Sequence, residues 1–242
     1  MAIPTGAFLN AIGILLGAII GLAQRKPFSL RSQLVFRNVI GAFTIFFGLR
    51  LIYISLEGPF LSCLKQLCVA VLAVWSGFWI GKLFHFQKMS NYLGRLAAKT
   101  IAAAQHNPSS NPGDAFNACA ILFCAAPLGI IGAVSDGLSD YYQLLGVKAV
   151  MDALAMTGFM KVFRWPAALS ALPVLFFFSA VSLAVQLYVK PVLAPPSLDS
   201  VNAAGGLVAC MVTVVIFEVR KVELANYLPA LVIAPLLTKL LA

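Results

Sequence analysis

The stretch AFLNAIGILLGAIIGLA, residues 7–23, runs for 17 residues without a charge and then meets Arg25 and Lys26. As an α-helix it is about 25 Å long at 1.5 Å per residue, close to the ~30 Å hydrocarbon layer of a bilayer. A basic pair at its end is what a helix leaving lipid for water carries. Runs of the same kind recur at 36–55, 68–84, 116–134, 146–163, 167–189, 201–217 and 222–241. Transmembrane β-strands alternate apolar and polar residues over about ten positions, and that pattern is absent from the sequence. The fold class is therefore all-α: a polytopic helical membrane protein of 7–8 transmembrane elements.

Composition agrees. The chain is 61% hydrophobic and 10% charged, against about 25% charged in soluble domains. Residues 1–5 lack a basic n-region and no small-residue cleavage site follows, so the first run is expected to stay as a span. The five cysteines, Cys63, Cys68, Cys119, Cys124 and Cys210, are odd in number, and four lie in or beside apolar runs. They read as packing residues. The five-residue spacings of Cys63/Cys68 and Cys119/Cys124 fall off a common helix face, so no metal site is expected.

The fifth and eighth runs are the irregular ones. The fifth holds Lys148, Asp152 and Lys161, and the eighth is interrupted by Pro229 and Pro235; either is a candidate for a broken or re-entrant element. Loop charge gives the orientation, because cytoplasmic loops carry the excess of Lys and Arg. With eight crossings and the N-terminus outside, twelve of the 17 basic residues fall inside, among them Arg25/Lys26, Lys82, Lys88, Lys161 and Arg220/Lys221. Both termini are then outside. The net charge of +9 reads as membrane orientation, with no nucleic-acid partner expected.

Between the third and fourth runs, Leu93, Leu96, Ala97, Thr100, Ile101 and Ala104 recur at three- and four-residue steps, with Lys88, Arg95 and Lys99 on another face. This is the pattern of a helix on the inner membrane surface; a cytoplasmic extension of the third span is the alternative. A polar, Pro/Gly-containing linker at 107–113 follows. It divides one membrane domain into a three-span half with the interfacial helix (1–106) and a five-span half (114–242).

Gly13, Gly17 and Gly21 lie four apart and form a small-residue ridge for close helix packing, with self-association of the chain as a homo-oligomer expected through it. Asn-x-x-Gly recurs at Asn10/Gly13, Asn38/Gly41 and Asn202/Gly205. This is an internal-repeat signal too short to distinguish a parallel from an inverted repeat.

Polar groups inside lipid are costly and mark function. Pro127, Gly129 and Gly132 precede Asp136 and Asp140, and Lys148 and Asp152 stand at i, i+4, able to pair on one helix face. Asn226 precedes Pro229, whose missing N–H frees backbone carbonyls nearby. Asp152, Asn226, Asp136, Lys148 and Pro229 are the candidate substrate- or ion-binding residues, and Asp152 is expected to meet the Asn226/Pro229 break in one polar site. The plainer alternatives are a surface turn for Asp136 and Asp140, a structural ion pair for Lys148/Asp152 and a kinked helix at Pro229. Neither His85 nor His106 has a nucleophile in its sequence context, and no phosphate or dinucleotide loop occurs. No catalytic residue, enzyme activity or cofactor is expected.

Asn10-Ala11-Ile12-Gly13, Leu122-Phe123-Cys124 leading into Gly132-Ala133-Val134-Ser135-Asp136-Gly137-Leu138, Lys148-Ala149-Val150-Met151-Asp152, Ala204-Gly205-Gly206-Leu207 and Ala225-Asn226-Tyr227-Leu228-Pro229-Ala230-Leu231 occur in this order. Together they resemble the YqgA-like bacterial inner-membrane proteins of unknown function (domain of unknown function 554). The resemblance covers nearly the whole chain. It implies a multi-pass protein of the bacterial cytoplasmic membrane with no established substrate. The expected function is a secondary transporter or channel-like permease for a small solute or ion; the alternative is a structural or regulatory membrane protein acting through protein partners.

Overall fold

The computed structural model describes residues 3–24, 26, 28–56, 58–106 and 112–241. Ten α-helices form among them: α1 Thr5–Ala23, α2 Leu30–Ile54, α3 Phe60–Leu83, α4 Phe86–His106, α5 Pro112–Cys124, α6 Pro127–Ser139, α7 Gln143–Phe163, α8 Ala171–Ala184, α9 Pro195–Ile216 and α10 Ala230–Leu241. A 3-10 turn Trp165–Ser170 leads into α8, a π-helical turn Val185–Val189 continues it, and a 3-10 turn Leu224–Tyr227 precedes α10. No strand occurs among the described residues.

Six stretches are long and apolar enough to cross a membrane: Thr5–Ala23, Leu30–Ile54, Phe60–Leu83, Trp165–Val189, Pro195–Ile216 and Leu224–Leu241. A seventh is the pair α5 and α6, bent by 61°. The bend has a local cause. Ala126 is extended at φ −70°, ψ 123°, and Pro127 opens α6, where its missing N–H costs nothing. The helix α7 has 21 residues but carries Lys148, Asp152 and Lys161, which sets it apart from the six.

The break expected in the fifth element therefore lies in the fourth. The fifth, α7, is one continuous helix because Lys148 and Asp152 neutralise each other one turn apart. The eighth is interrupted as expected, with Pro229 between the 3-10 turn and α10.

Packing fixes relative directions. Gly13 of α1 abuts Ala149 of α7, and Gly21 abuts Met160, so α1 and α7 run parallel. Gly41 of α2 meets Phe217 and Gly48 meets Gly206 and Cys210, so α2 and α9 are antiparallel. Gly77 and Gly81 of α3 face Ala230 and Asn226, again antiparallel. The pair α5/α6 starts beside Trp165–Ser170 and ends where Asp136 meets Gly6, at opposite ends of α7. The bent pair thus goes across the bundle. These relative directions hold for the six spans and the bent pair, the six to seven elements long and apolar enough to cross.

Two cores result. One gathers α1, α5, α7 and α8 around Ile14, Cys119, Leu145, Met156, Val174 and Phe178. The other joins α2, α3, α9 and α10, with parts of α6 and α7, around Leu51, Ala73, Val208 and Ala230. Helices from before and after the 107–113 linker share both cores; residues 107–111 lie outside the described residues, while Pro112 and Gly113 already belong to α5.

The Gly13/Gly17/Gly21 ridge is consumed inside the chain. A Cβ on Gly13 would stand 2.6 Å from the Ala149 carbonyl oxygen and one on Gly21 2.8 Å from Met160 Cβ, while Gly17 rests against the Ala153 backbone. The ridge packs helices as its spacing predicts, but its partner is α7 and not a second copy of the chain. The reason is complementarity: Ala149 and Ala153 present a second small-residue face on α7.

Helix α4 turns away from α3 at His85, whose φ is 60°. Its Ala97 is buried and the helix packs against α5 and, at Gln87, the 224–227 turn, while Met89, Tyr92 and Leu96 stay exposed. It bears Lys88, Arg95 and Lys99 and is not among the helices long and apolar enough to cross a membrane.

Candidate polar site within the membrane

Halfway along α7, Lys148 Nζ donates a hydrogen bond to Asp152 Oδ2 at 2.5 Å. Lys148 is 2% exposed and Asp152 7%. Their depth is set by α1, whose Gly13 and Gly17 lie against Ala149 and Ala153. A lone Asp at a helix centre costs about 3 kcal/mol on insertion scales, so each charge needs the other at this depth.

Three other elements close around the pair. The ammonium of Lys148 stands 5.9 Å from the Phe123 ring of α5 and 5.5 Å from the Phe178 ring of α8, within cation–π reach. Its stem crosses the first turn of α6 at Gly129, where a Cβ would come within 2.7 Å of Lys148 Cε. From α1, the fully buried Asn10 lies within electrostatic reach of the Asp152 carboxylate. The Asn10 side chain faces that carboxylate without a hydrogen bond of good geometry. Cys124, the last residue of α5, feels both charges of the pair.

The α5–α6 break thus sits beside a buried ion pair. At such a break the last carbonyls of one helix and the first amides of the next leave the helical ladder, and in lipid they are tolerated only where protein or a polar cavity receives them. A cavity of about 330 Å³ reaches the break from the α4 side, between Cys124, Ala125 and Ile130 and Phe86, Ala225 and Leu228.

The other candidates lie elsewhere. Asp136, at the end of α6, is 4% exposed. It accepts hydrogen bonds from Gly6 N–H at 3.2 Å and Ser182 Oγ at 3.3 Å, tying α1, α6 and α8 together. A surface turn is the right description for Asp140 only, which takes a left-handed φ of 56° and lies 3.9 Å from Lys190. Asn226 sits at the opposite end, against Gly81. Its Oδ1 accepts from Gln87 N–H at 2.9 Å and its Nδ2 donates to Glu223 Oε2 at 2.7 Å, while Gln87 Oε1 accepts from Ala225 N–H at 3.1 Å. Pro229 starts α10, its carbonyl accepting from Val232 and Ile233 N–H.

Asp152 and Asn226 therefore share no partner, and the single polar site expected from Asp152, Asn226, Pro229 and Asp136 is not formed. Three buried polar places occupy three depths: Asp136 at one end, Lys148/Asp152 in the middle and Asn226 at the other end. The helix break beside Asp152 is the one at Pro127, not the one at Pro229. Phe123, Phe178 and Asn10 were not read as site residues. Asn10 alone had a signal, as an amide in an otherwise apolar run.

The family described as "Protein of unknown function (DUF554)" matches residues 5–239. The "Uncharacterized protein YqgA" of Escherichia coli (strain K12) is 25% identical over 232 residues, covering 95% of this chain and 94% of that protein. The "Uncharacterized membrane protein YdfK" of Bacillus subtilis (strain 168) is 22% identical over 230 residues, covering 95% and 93%. No solved structure matches. With nearly its whole length matched, and with a helical architecture that has six to seven membrane-span candidates, the chain belongs to the DUF554 family.

Proposed function

We propose that this protein is a secondary transporter or channel-like permease for a small solute or ion in the bacterial cytoplasmic membrane, working through Lys148, Asp152 and Asn10. One observation carries the reading: a buried ion pair at mid-depth stands beside a helix broken at the same level. Charged residues inside the membrane mark ion and solute paths, and discontinuous helices near the midplane build the binding sites of many transporters. The pair is neutral at rest. An ion or proton that competes for the Asp152 carboxylate releases the Lys148 ammonium toward Phe123 and Phe178, and the Asn10 amide beside that carboxylate supplies a further ligand group. The cavity toward α4 borders the helix break at Cys124 and Ala125.

The test is flux in proteoliposomes loaded with the pH dye pyranine, with a K⁺ diffusion potential of either sign and with Na⁺, K⁺, amino acids and small carboxylic acids as solutes. Signal above protein-free vesicles is expected for at least one condition, abolished in Asp152→Asn while the protein stays monodisperse. Vesicle signals equal to protein-free controls under every condition refute the reading, as does a folded Asp152→Asn protein with unchanged flux.

A further inference from the structure

Between α2 and α7 the two cores part, leaving an open groove at the basic end of the bundle. This cavity holds about 500 Å³; its apolar wall includes Phe36, Ile40, Met151 and Leu154, and Arg37 and Lys161 lie on its lining. Gly158 also lines it, and a Cβ there would meet nothing within 4 Å. Each ridge glycine of α1 is a close helix contact, whereas Gly158 gives up about 1 kcal/mol of helix propensity relative to Ala with no protein packed against it.

Length and charge identify what fits. From Met151 to Lys161 the helix rises about 15 Å, half of a ~30 Å hydrocarbon layer, which is the reach of an acyl chain in one leaflet. The cations sit at one end only. Among the described residues Lys161 has no ion-pair partner, and Arg37 pairs through one Nη with the exposed Glu218 while its Nε has no hydrogen-bond partner. A second copy of this chain is a poor occupant, with eight acidic residues against 17 basic ones. Basic pockets between membrane helices on the cytoplasmic side are known to take anionic lipid headgroups.

We infer that the α2–α7 groove is a binding site for an anionic phospholipid, its phosphate held by Arg37 and Lys161 and one acyl chain lying over Gly158 along Ile40, Met151 and Leu154. This assignment does not depend on transport activity.

Native mass spectrometry of the purified protein in neutral detergent tests it, with phosphatidylglycerol and phosphatidylcholine of identical chains added in equal amounts. Phosphatidylglycerol adducts are expected at roughly tenfold excess, a preference worth about 1.4 kcal/mol. The excess disappears in Arg37→Gln/Lys161→Gln but persists in Lys82→Gln/Lys88→Gln, which removes the same charge elsewhere. Gly158→Trp, which fills the groove and keeps both cations, also abolishes it, and inorganic phosphate leaves it unchanged. Equal retention of the two lipids overturns the proposal, as does retention of phosphatidylglycerol in Arg37→Gln/Lys161→Gln. Competition by inorganic phosphate alone assigns the cations to a free anion and overturns the lipid site. Retention of phosphatidylglycerol in Gly158→Trp overturns it too, and if that variant also loses a self-association that the wild-type protein shows, the groove is an interface between copies.

Discussion

Removing one half of the Lys148–Asp152 pair separates a structural ion pair from a surface one. The two groups are 2% and 10% exposed at the side chain and 2.5 Å apart, so the values for buried pairs apply: breaking one partner costs about 3–5 kcal/mol because the other charge is left unpaired. Lys148→Met is therefore expected to destabilise by that amount, and Asp152→Leu similarly. The double variant, which buries neither charge, is expected near wild type or above it. The cycle then yields a coupling energy of about 6 kcal/mol or more in magnitude, the sum of the two single losses. The control is Lys190–Asp140, 3.9 Å apart with side chains 37% and 61% exposed, where the same cycle is expected to give about 0–1 kcal/mol. Reversible unfolding in bicelles, followed by steric trapping, reads all of these. Additive single effects at Lys148 and Asp152, or a Lys148→Met cost under about 1 kcal/mol, refute the claim that the pair is desolvated. A stable double variant also serves function, because any flux it loses is not lost through misfolding.

Gly17→Leu is expected to disrupt α1–α7 packing and prevent folding, since the Ala153 backbone fills the space a side chain needs; a monodisperse Gly17→Leu protein with unchanged thermal stability refutes that seam. Gly158→Ala, where nothing lies within 4 Å, is expected to stabilise by up to about 1 kcal/mol in the same thermal assay. Asn226→Ala removes the acceptor for Gln87 N–H and is expected to cost about 1–3 kcal/mol and to speed proteolysis within α4; equal cleavage rates speak against that anchor. A cysteine placed at Ser109 is expected to be labelled only from the cytoplasmic side, and labelling in intact cells refutes the assigned orientation.

Span existence was legible because it depends on run length and charge alone, and the Lys148/Asp152 pair because i, i+4 spacing fixes it within one helix. What stands beside that pair was not. Pro127 and Pro229 are equally visible as breaks, but only packing decides which lies level with Asp152. The Gly13/Gly17/Gly21 ridge announced close approach without naming a partner, since small faces occur on several helices. Ala149, Ala153 and Thr157 repeat at the same spacing on α7, and matching the two faces would have found the seam. Asn226 was read as a ligand because of the neighbouring proline. Its true partner, Gln87, lies 139 positions away, and no local pattern joins them.

The pairing of α1 with α7 has a consequence for synthesis. Gly6 and Asp136, which meet at one end of that seam, are 130 residues apart, and ribosomes add about 5–20 residues per second. The first helix therefore waits in the membrane for roughly 7–26 s before its glycine face and the buried Asn10 find their place. During that interval it presents to lipid a polar amide and a ridge suited to any small-faced helix nearby.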